Sequence, residues 1–261
     1  MTDFEVGNVV CIILAGGRGK RMGSETCHKV CFPVGGRPAI VRAIDTYKEA
    51  GVRRFLVVVG QMADQVLETV AEAHPETLFV RQANPRGTGH AAMVAVDALA
   101  AQGHEGSVMV VMGDKVTHAD AVRQLLRTYR TDKPDVLLSV LPKLQETTAG
   151  RVLEDEDDNI LGIVECADIR RAAEQDTPIC VGGHDFTAAE VEQKGLTVNA
   201  SMYMFRLKPL HRALRLLSPA NAQGELYLTD TVESIARDGR VQRLLIPDPT
   251  DLMAFNTPAE L

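Results

Sequence analysis

Residues 10–15, Val10-Cys11-Ile12-Ile13-Leu14-Ala15, form an unbroken apolar run that breaks into Gly16-Gly17-Arg18-Gly19-Lys20-Arg21-Met22, with Lys29 a few residues on. A run of this kind predicts a buried strand, and a buried strand must be covered by other layers. The turn leaving it is glycine-rich and cationic. Glycines at 16, 17 and 19 free the backbone to converge N–H groups on one point, while Arg18, Arg21 and Lys29 add positive charge. That combination suits a polyphosphate.

Two common phosphate loops do not fit. A Walker loop needs Ser or Thr after Gly-Lys, whereas Gly19-Lys20 is followed by Arg21, and the earlier glycine it needs is Leu14 here. A dinucleotide fingerprint needs a third glycine where Met22 stands and a helix directly afterwards, whereas Ser24–Gly36 reads as an irregular loop. A plain strand-to-helix glycine turn would leave three cations in so short a segment unexplained.

Strand and helix patterns alternate through the first half. Val9–Leu14, Phe55–Val59, Leu78–Val80, Val108–Met112 and Val136–Val140 read as strands. Between them Ile40, Val41, Ile44 and Tyr47, then Val66, Leu67 and Val70, then Ala92, Val96 and Leu99, then Val122, Leu125, Leu126 and Tyr129 recur at helical spacing. Such alternation predicts an α/β fold with a doubly wound, mostly parallel sheet, whose ligands bind at the carboxyl ends of the strands. After Pro142 the pattern changes. Gly150–Leu153 and Ile160–Val164 read as antiparallel strands joined by an acidic turn at 155–159, and Ala200–Phe205 as a further strand. Leu207–Leu217 and Thr229–Asp238 read as helices, and Asp168–Leu196 as an irregular lid or mobile insertion.

The strand-end rule singles out more residues. Gln82 leaves the third strand and leads through Pro85-Arg86 into Gly87-Thr88-Gly89-His90-Ala91, where glycines let backbone atoms meet a planar edge such as a nucleobase. His90 reads as a helix-start residue. Met112-Gly113-Asp114 ends a buried strand in a carboxylate, the ligand type for Mg²⁺ held with substrate phosphates, with a helix N-cap as the competing role.

Charge narrows the partners. A formal net charge of −7 without any block of Lys or Arg argues against nucleic acid or an anionic membrane. No apolar run reaches the roughly 18–20 residues of a membrane span. The lead Met1–Gly7, with Asp3 and Glu5, does not read as a signal peptide, so a cytoplasmic location is expected. Five cysteines, an odd number without a framework, fit a reducing compartment, and Cys27-His28-x-x-Cys31 lacks the second pair a zinc site needs.

Taken together the motifs resemble those of the sugar-1-phosphate nucleotidyltransferases, in particular the uridylyltransferase domains that act on N-acetylglucosamine-1-phosphate. The similarity spans nearly the whole chain. Leu14–Met22 with Lys29-Val30 is similar to the family's phosphate loop, and Gln82 with Gly87–Ala91 to its uracil motif. Gly150-Arg151-Val152, Gly162-Ile163-Val164-Glu165, Asn199 and Asn221–Asp230 follow in the family's order. The resemblance implies transfer of a uridylyl group from UTP to a sugar-1-phosphate, with a nucleotide-diphospho-sugar transferase fold and an antiparallel sugar-binding extension. It implies one domain over 1–261, with a nucleotide-binding half (1–142) and a sugar-binding half (143–261).

By the same resemblance Arg18 and Lys29 are catalytic. Leu14, Ala15, Gly16, Gly17, Gln82, Gly87 and Thr88 bind the nucleotide, and Gly150, Glu165, Asn199 and Thr229 bind the sugar. Asp114 and Asn256 hold Mg²⁺. The implied partners are UTP and a sugar-1-phosphate, without nucleic acid or membrane. The hexapeptide repeats of the family's acetyltransferase domain are absent from these 261 residues. Departures from the family pattern bear on specificity: Lys20 stands for Thr, Cys27-His28 for the residues before the lysine, Met112 for Tyr and Ala200-Ser201 for Thr-Gly, and the Glu165–Asn199 segment is longer. The alternatives are a thymidylyl- or cytidylyltransferase, and a non-catalytic regulatory subunit, which loss of the arginine, lysine or aspartate would favour.

Overall fold

A computed structural model describes residues 8–17, 27–144, 147–248 and 252–254. In chain order its elements are β1 (Val10–Ala15), a 3-10 turn (Lys29–Cys31), β2 (Pro33–Val34), β3 (Arg37–Pro38), α1 (Ala39–Glu49), β4 (Arg54–Val59), α2 (Ala63–Ala73), β5 (Leu78–Arg81) and α3 (Thr88–Ala101). Next come β6 (Ser107–Met112), β7 (Lys115–Thr117), α4 (Ala119–Asp132), β8 (Val136–Pro142), β9 (Arg151–Glu154) and β10 (Ile160–Val164). They are followed by α5 (Cys166–Gln175), β11 (Ile179–Val181), β12 (His184–Phe186), α6 (Ala188–Lys194) and β13 (Thr197–Arg206). The last are α7 (Leu207–Leu214), α8 (Asp230–Ala236), β14 (Val241–Leu245) and β15 (Leu252–Ala254).

Among the described residues the main sheet has nine strands, in the row β10-β9-β13-β6-β1-β4-β5 with β8 beside β13 and β14 beside β8. β1 lies in its parallel centre, between β4 and β6. Successive side chains of a strand face opposite sides. Cys11, Ile13 and Ala15 accordingly join a core with α1 and α4 residues such as Ile40, Ile44, Leu125 and Tyr129. Val10, Ile12 and Leu14 join the opposite core with Ala92, Ala95 and Val96 of α3. Both faces are dry, which is why these strands read as continuous apolar runs.

The alternation predicted for the first half is present, with boundaries shifted by a residue or two. The segment 24–36 departs from the irregular loop expected. In its described part Lys29–Cys31 is a 3-10 turn, and β2 and β3 form a small hairpin through Gly35 and Gly36 at φ 56° and 79°. In the second half β9 and β10 are antiparallel as expected, with Asp155 Oδ1 accepting from the Asp157 and Asn159 N–H groups in the turn. The strand expected at 200–205 runs Thr197–Arg206. The helix expected at 207–217 stops at Leu214, and that at 229–238 spans Asp230–Ala236.

The larger correction concerns 168–196, which is no irregular lid. It lies within an ordered layer of α5, the β11–β12 hairpin and α6. Ile169, Val181, Phe186 and Val191 bury against Leu153 of β9 and Val164 of β10. Gly182 and Gly183, at φ 61° and 80°, make the two-residue turn that matches strand twist, and Thr187 with Glu190 forms a reciprocal capping box on α6. Arg151 of β9, 5% exposed, is gripped by both oxygens of Glu192 on α6, Nη2 to Oε1 at 2.8 Å and Nε to Oε2 at 3.0 Å. The layer is therefore fastened to the sheet by apolar burial and by an ion pair whose arginine is buried and whose carboxylate is half-exposed.

Candidate active site

The parallel centre of the sheet brings three strand ends together. β1 ends at Ala15 and delivers Gly16 and Gly17, β5 ends one residue before Gln82, and β6 ends at Met112 and delivers Gly113-Asp114. The Gly113 N–H donates to the Leu14 carbonyl at 3.0 Å, which fixes one strand end against the next. A cavity of about 750 Å³ opens there, lined by Gly16, Gly17, Lys29, Gln82, Thr88 and Asp114 among others. That volume lies within the range of small-molecule sites. Leu14, Ala15 and Gly87 also line it.

Lys29 and Asp114 both line the cavity and form an ion pair there, Nζ to Oδ2 at 2.5 Å. The 3-10 turn that carries Lys29 is capped by His28, whose Nδ1 accepts from the Val30 N–H at 3.3 Å. Asp114 is not a helix cap, because α4 begins at Ala119 behind His118. Its carboxylate is held by the Lys29 ammonium. Among the described residues no group of three His, Cys, Asp or Glu side chains is placed to hold a metal. Asp114 does fit Mg²⁺ in the mode that takes one or two protein oxygens and fills the other positions with water and substrate phosphates. Arg18 and Asn256 lie outside the described residues.

Gln82 is 4% exposed and its amide is oriented by its neighbours. Nε2 donates to the Gly87 carbonyl at 3.2 Å and lies 2.9 Å from His90 Nδ1, which leaves Oε1 turned toward Gly16. Gly87 sits at φ 104°, and a Cβ there would come within 2.5 Å of the Leu226 carbonyl. Only glycine allows the 86–89 segment to lie so close to 225–228. The two are stitched together by Gly89 N–H to Leu226 O at 2.8 Å, Leu226 N–H to Arg86 O at 2.7 Å and Leu228 N–H to Thr88 Oγ1 at 3.1 Å.

The residues expected at the sugar also gather. Thr229, next to Leu228, donates to Glu165 Oε1 at 2.9 Å, and Asn199 donates its N–H to the Gly150 carbonyl at 2.9 Å. Asn199 Oδ1 accepts from Ser201 N–H at 2.9 Å and from Tyr203 Oη at 2.8 Å, so the amide nitrogen is its remaining polar end. Ser201 takes φ 59° at the register shift of β13, a conformation that glycine adopts more readily. Burial pushes the Glu165 carboxyl up, opposed by the Thr229 hydrogen bond.

Burial, together with the charges of Asp168, Glu165 and Glu233, pushes Asp230 up to about 7 from its ordinary 3.8. A carboxyl raised on folding takes up a proton as the chain folds between those two values. Stability is therefore lost as pH rises through the window toward 7. Asp230→Asn is expected to raise the melting temperature at pH 8, with the gain vanishing near pH 4, as scanning calorimetry across that range would show.

Motif logic missed His28, Gln61 and Glu225, which also line the cavity. Glu225 lies in the Asn221–Asp230 motif, and Gln61 follows the end of β4, a strand-end position that was open to the same rule.

The family model described as the MobA-like NTP transferase domain matches residues 11–152. The chain belongs to the MobA-like NTP transferase family. It is 33% identical over 260 residues to the bifunctional protein GlmU of Thermoanaerobacter pseudethanolicus, covering 97% of this chain and 50% of that protein. The figures for GlmU of Mycolicibacterium gilvum are 32% over 262 residues, with 98% and 48% covered. The chain thus spans about half the length of these curated relatives. A solved UDP-glucose pyrophosphorylase complexed with UDP-glucose shares its fold, with a TM-score of 0.68 at 16% identity over 91% of this chain and 90% of that one. The family expected from the motifs, the nucleotidyltransferase class and the Rossmann-like fold are the ones found. Among the described residues no helix of this transferase is long and apolar enough to cross a membrane.

Proposed function

We propose that this transferase moves a uridylyl group from UTP to a sugar-1-phosphate, with N-acetylglucosamine-1-phosphate as the favoured acceptor, and releases pyrophosphate. The observation that carries this is the orientation of Gln82. With Nε2 committed to the Gly87 carbonyl, its free Oε1 is an acceptor, and uracil offers a proton at N3 where cytosine has none. The Leu228–Thr88 bond joins the base-reading segment to the group formed by Glu165, Thr229, Asn199 and Gly150, where the sugar is held.

The sugar phosphate oxygen attacks the α-phosphorus in line, and the pyrophosphate leaves with its electron pair. The protein's work is to align two anions and offset the charge on the leaving group. The glycine loop and Arg18 hold the triphosphate. Lys29 exchanges Asp114 for a phosphate oxygen, which frees the carboxylate. Asp114 and Asn256 hold Mg²⁺, which when bound offsets charge on the phosphates. Glu165, with one oxygen taken by Thr229, accepts from a sugar hydroxyl through the other. The amide nitrogen of Asn199 donates to the sugar.

Pyrophosphate release measured across UTP, TTP and CTP tests the assignment. UTP and TTP, which both carry the N3 proton, are expected to support turnover, with CTP slower by at least about tenfold for one lost hydrogen bond and an unpaired acceptor. Equal rates with CTP would remove Gln82 from base selection. Turnover with no nucleotide and any of a panel of sugar-1-phosphates would favour a regulatory subunit.

A further inference from the structure

Two acceptors hold the Gln82 amide, and one of them is a side chain. Only Nε2 can face the Gly87 carbonyl at 3.2 Å, because a carbonyl oxygen accepts and does not donate. That oxygen is shared, since it also takes the Ala91 N–H at 3.2 Å as the first turn of α3 closes. The second proton of Nε2 goes to His90 Nδ1 at 2.9 Å, the shorter of the two contacts. Nδ1 is then an acceptor, and the neutral ring carries its proton on Nε2. Burial, with the charge of Arg86, holds the imidazole below its ordinary value and favours that neutral form.

The two ends of an amide have opposite preferences for a base. Oε1 accepts from the N3 proton of uracil, whereas Nε2 in its place would donate to the unprotonated N3 of cytosine. Gln82 is buried and lines the cavity with Gly16, toward which Oε1 is turned, so the end held outward is the one a base meets. We infer that His90 is a specificity-determining positioning residue: its Nδ1 holds the Gln82 amide with Oε1 to the cavity and thereby sets uracil over cytosine. It acts through Gln82 and not on the nucleotide. This deepens the uridylyl reading above and rests on it. The histidine thus has a task besides starting α3, one that a residue of similar bulk without an acceptor at that point cannot perform.

His90→Leu keeps the bulk and removes the acceptor, while His90→Asn places an amide oxygen close to where Nδ1 stands. With one sugar-1-phosphate, kcat/KM for UTP over that for CTP is expected to fall about fivefold in His90→Leu, the scale of one hydrogen bond, and to return to within about twofold in His90→Asn. Melting temperature and the KM for the sugar-1-phosphate are expected to stay near those of the unaltered protein in both. A residue that only packed the start of α3 would change stability and leave the nucleotide ratio alone. In the unaltered protein at neutral pH, ¹⁵N-resolved spectra are expected to show His90 protonated at Nε2 and bare at Nδ1. A proton on Nδ1, a UTP preference unchanged in His90→Leu, or one not restored in His90→Asn would overturn the inference alone. Equal rates with UTP and CTP in the unaltered protein, or turnover with neither, would overturn the uridylyl reading and the inference with it.

Discussion

Asp114→Asn is expected to lower turnover by at least about 100-fold, the scale on which a charged group at a developing phosphate anion acts. The substitution keeps the shape of the side chain and removes its charge. Asp114 is 26% exposed at the side chain and sits in a turn ahead of β7, with one ion-pair contact to Lys29 at 2.5 Å. Loss of that contact costs about 1 kcal/mol, or roughly 2–4 °C in a chain of this size. A large kinetic loss beside a small thermal one is the signature of a ligand to phosphate-bound metal. A variant that melts far below the unaltered protein, or turns over at a similar rate, would make Asp114 a structural partner of Lys29 and nothing more.

The second large effect is on stability. Replacing residues 166–195 by a tight turn is expected to abolish cooperative melting or lower the midpoint by more than about 10 °C. Leu153 and Val164 would lose their cover, at about 1.5–3 kcal/mol each. Arg151 would lose both contacts to Glu192, whose side chain is 41% exposed, at about 1 kcal/mol, and would keep the Ala149 and Thr147 carbonyls. Together these losses, about 4–7 kcal/mol, reach the lower part of the stability of an ordinary domain, about 5–15 kcal/mol. The damage would also reach the site, since Asp168 Oδ1 accepts from the Ala222 N–H at 2.7 Å and residues 225–228 pack on Gly87 and Gly89. A deletion that melts close to the full chain would show the layer to be a detachable insertion.

The parts of the fold that were legible in the sequence share a physical cause. β1, β4 and β6 are buried on both faces and so appear as uninterrupted apolar runs, while Ile40, Ile44 and Tyr47 mark the one face of α1 that packs on them. Gly16, Gln82 and Asp114 could be found because the carboxyl end of a parallel strand is where ligands meet such a sheet. The β11–β12 hairpin and α6 were harder, since strands of three residues and a helix of seven are too short for periodicity to register. Their signals were local and present: Gly182-Gly183 for the hairpin and Thr187-x-x-Glu190 for the helix start. The place of β13 could not be read locally at all. It pairs with β6, β8 and β9, and it inserts an antiparallel strand from the second half beside the parallel centre.

Whether Lys29, Asp114 and Gln82 serve one reaction is decided by a single rate. Purified protein with Mg²⁺ and UTP is expected to release pyrophosphate when N-acetylglucosamine-1-phosphate or another sugar-1-phosphate is added, one pyrophosphate for each UDP-sugar formed, and none when the sugar phosphate is withheld. Pyrophosphate that appears at the same rate without an acceptor, or that fails to appear across a broad panel of sugar-1-phosphates, would contradict uridylyl transfer at this site.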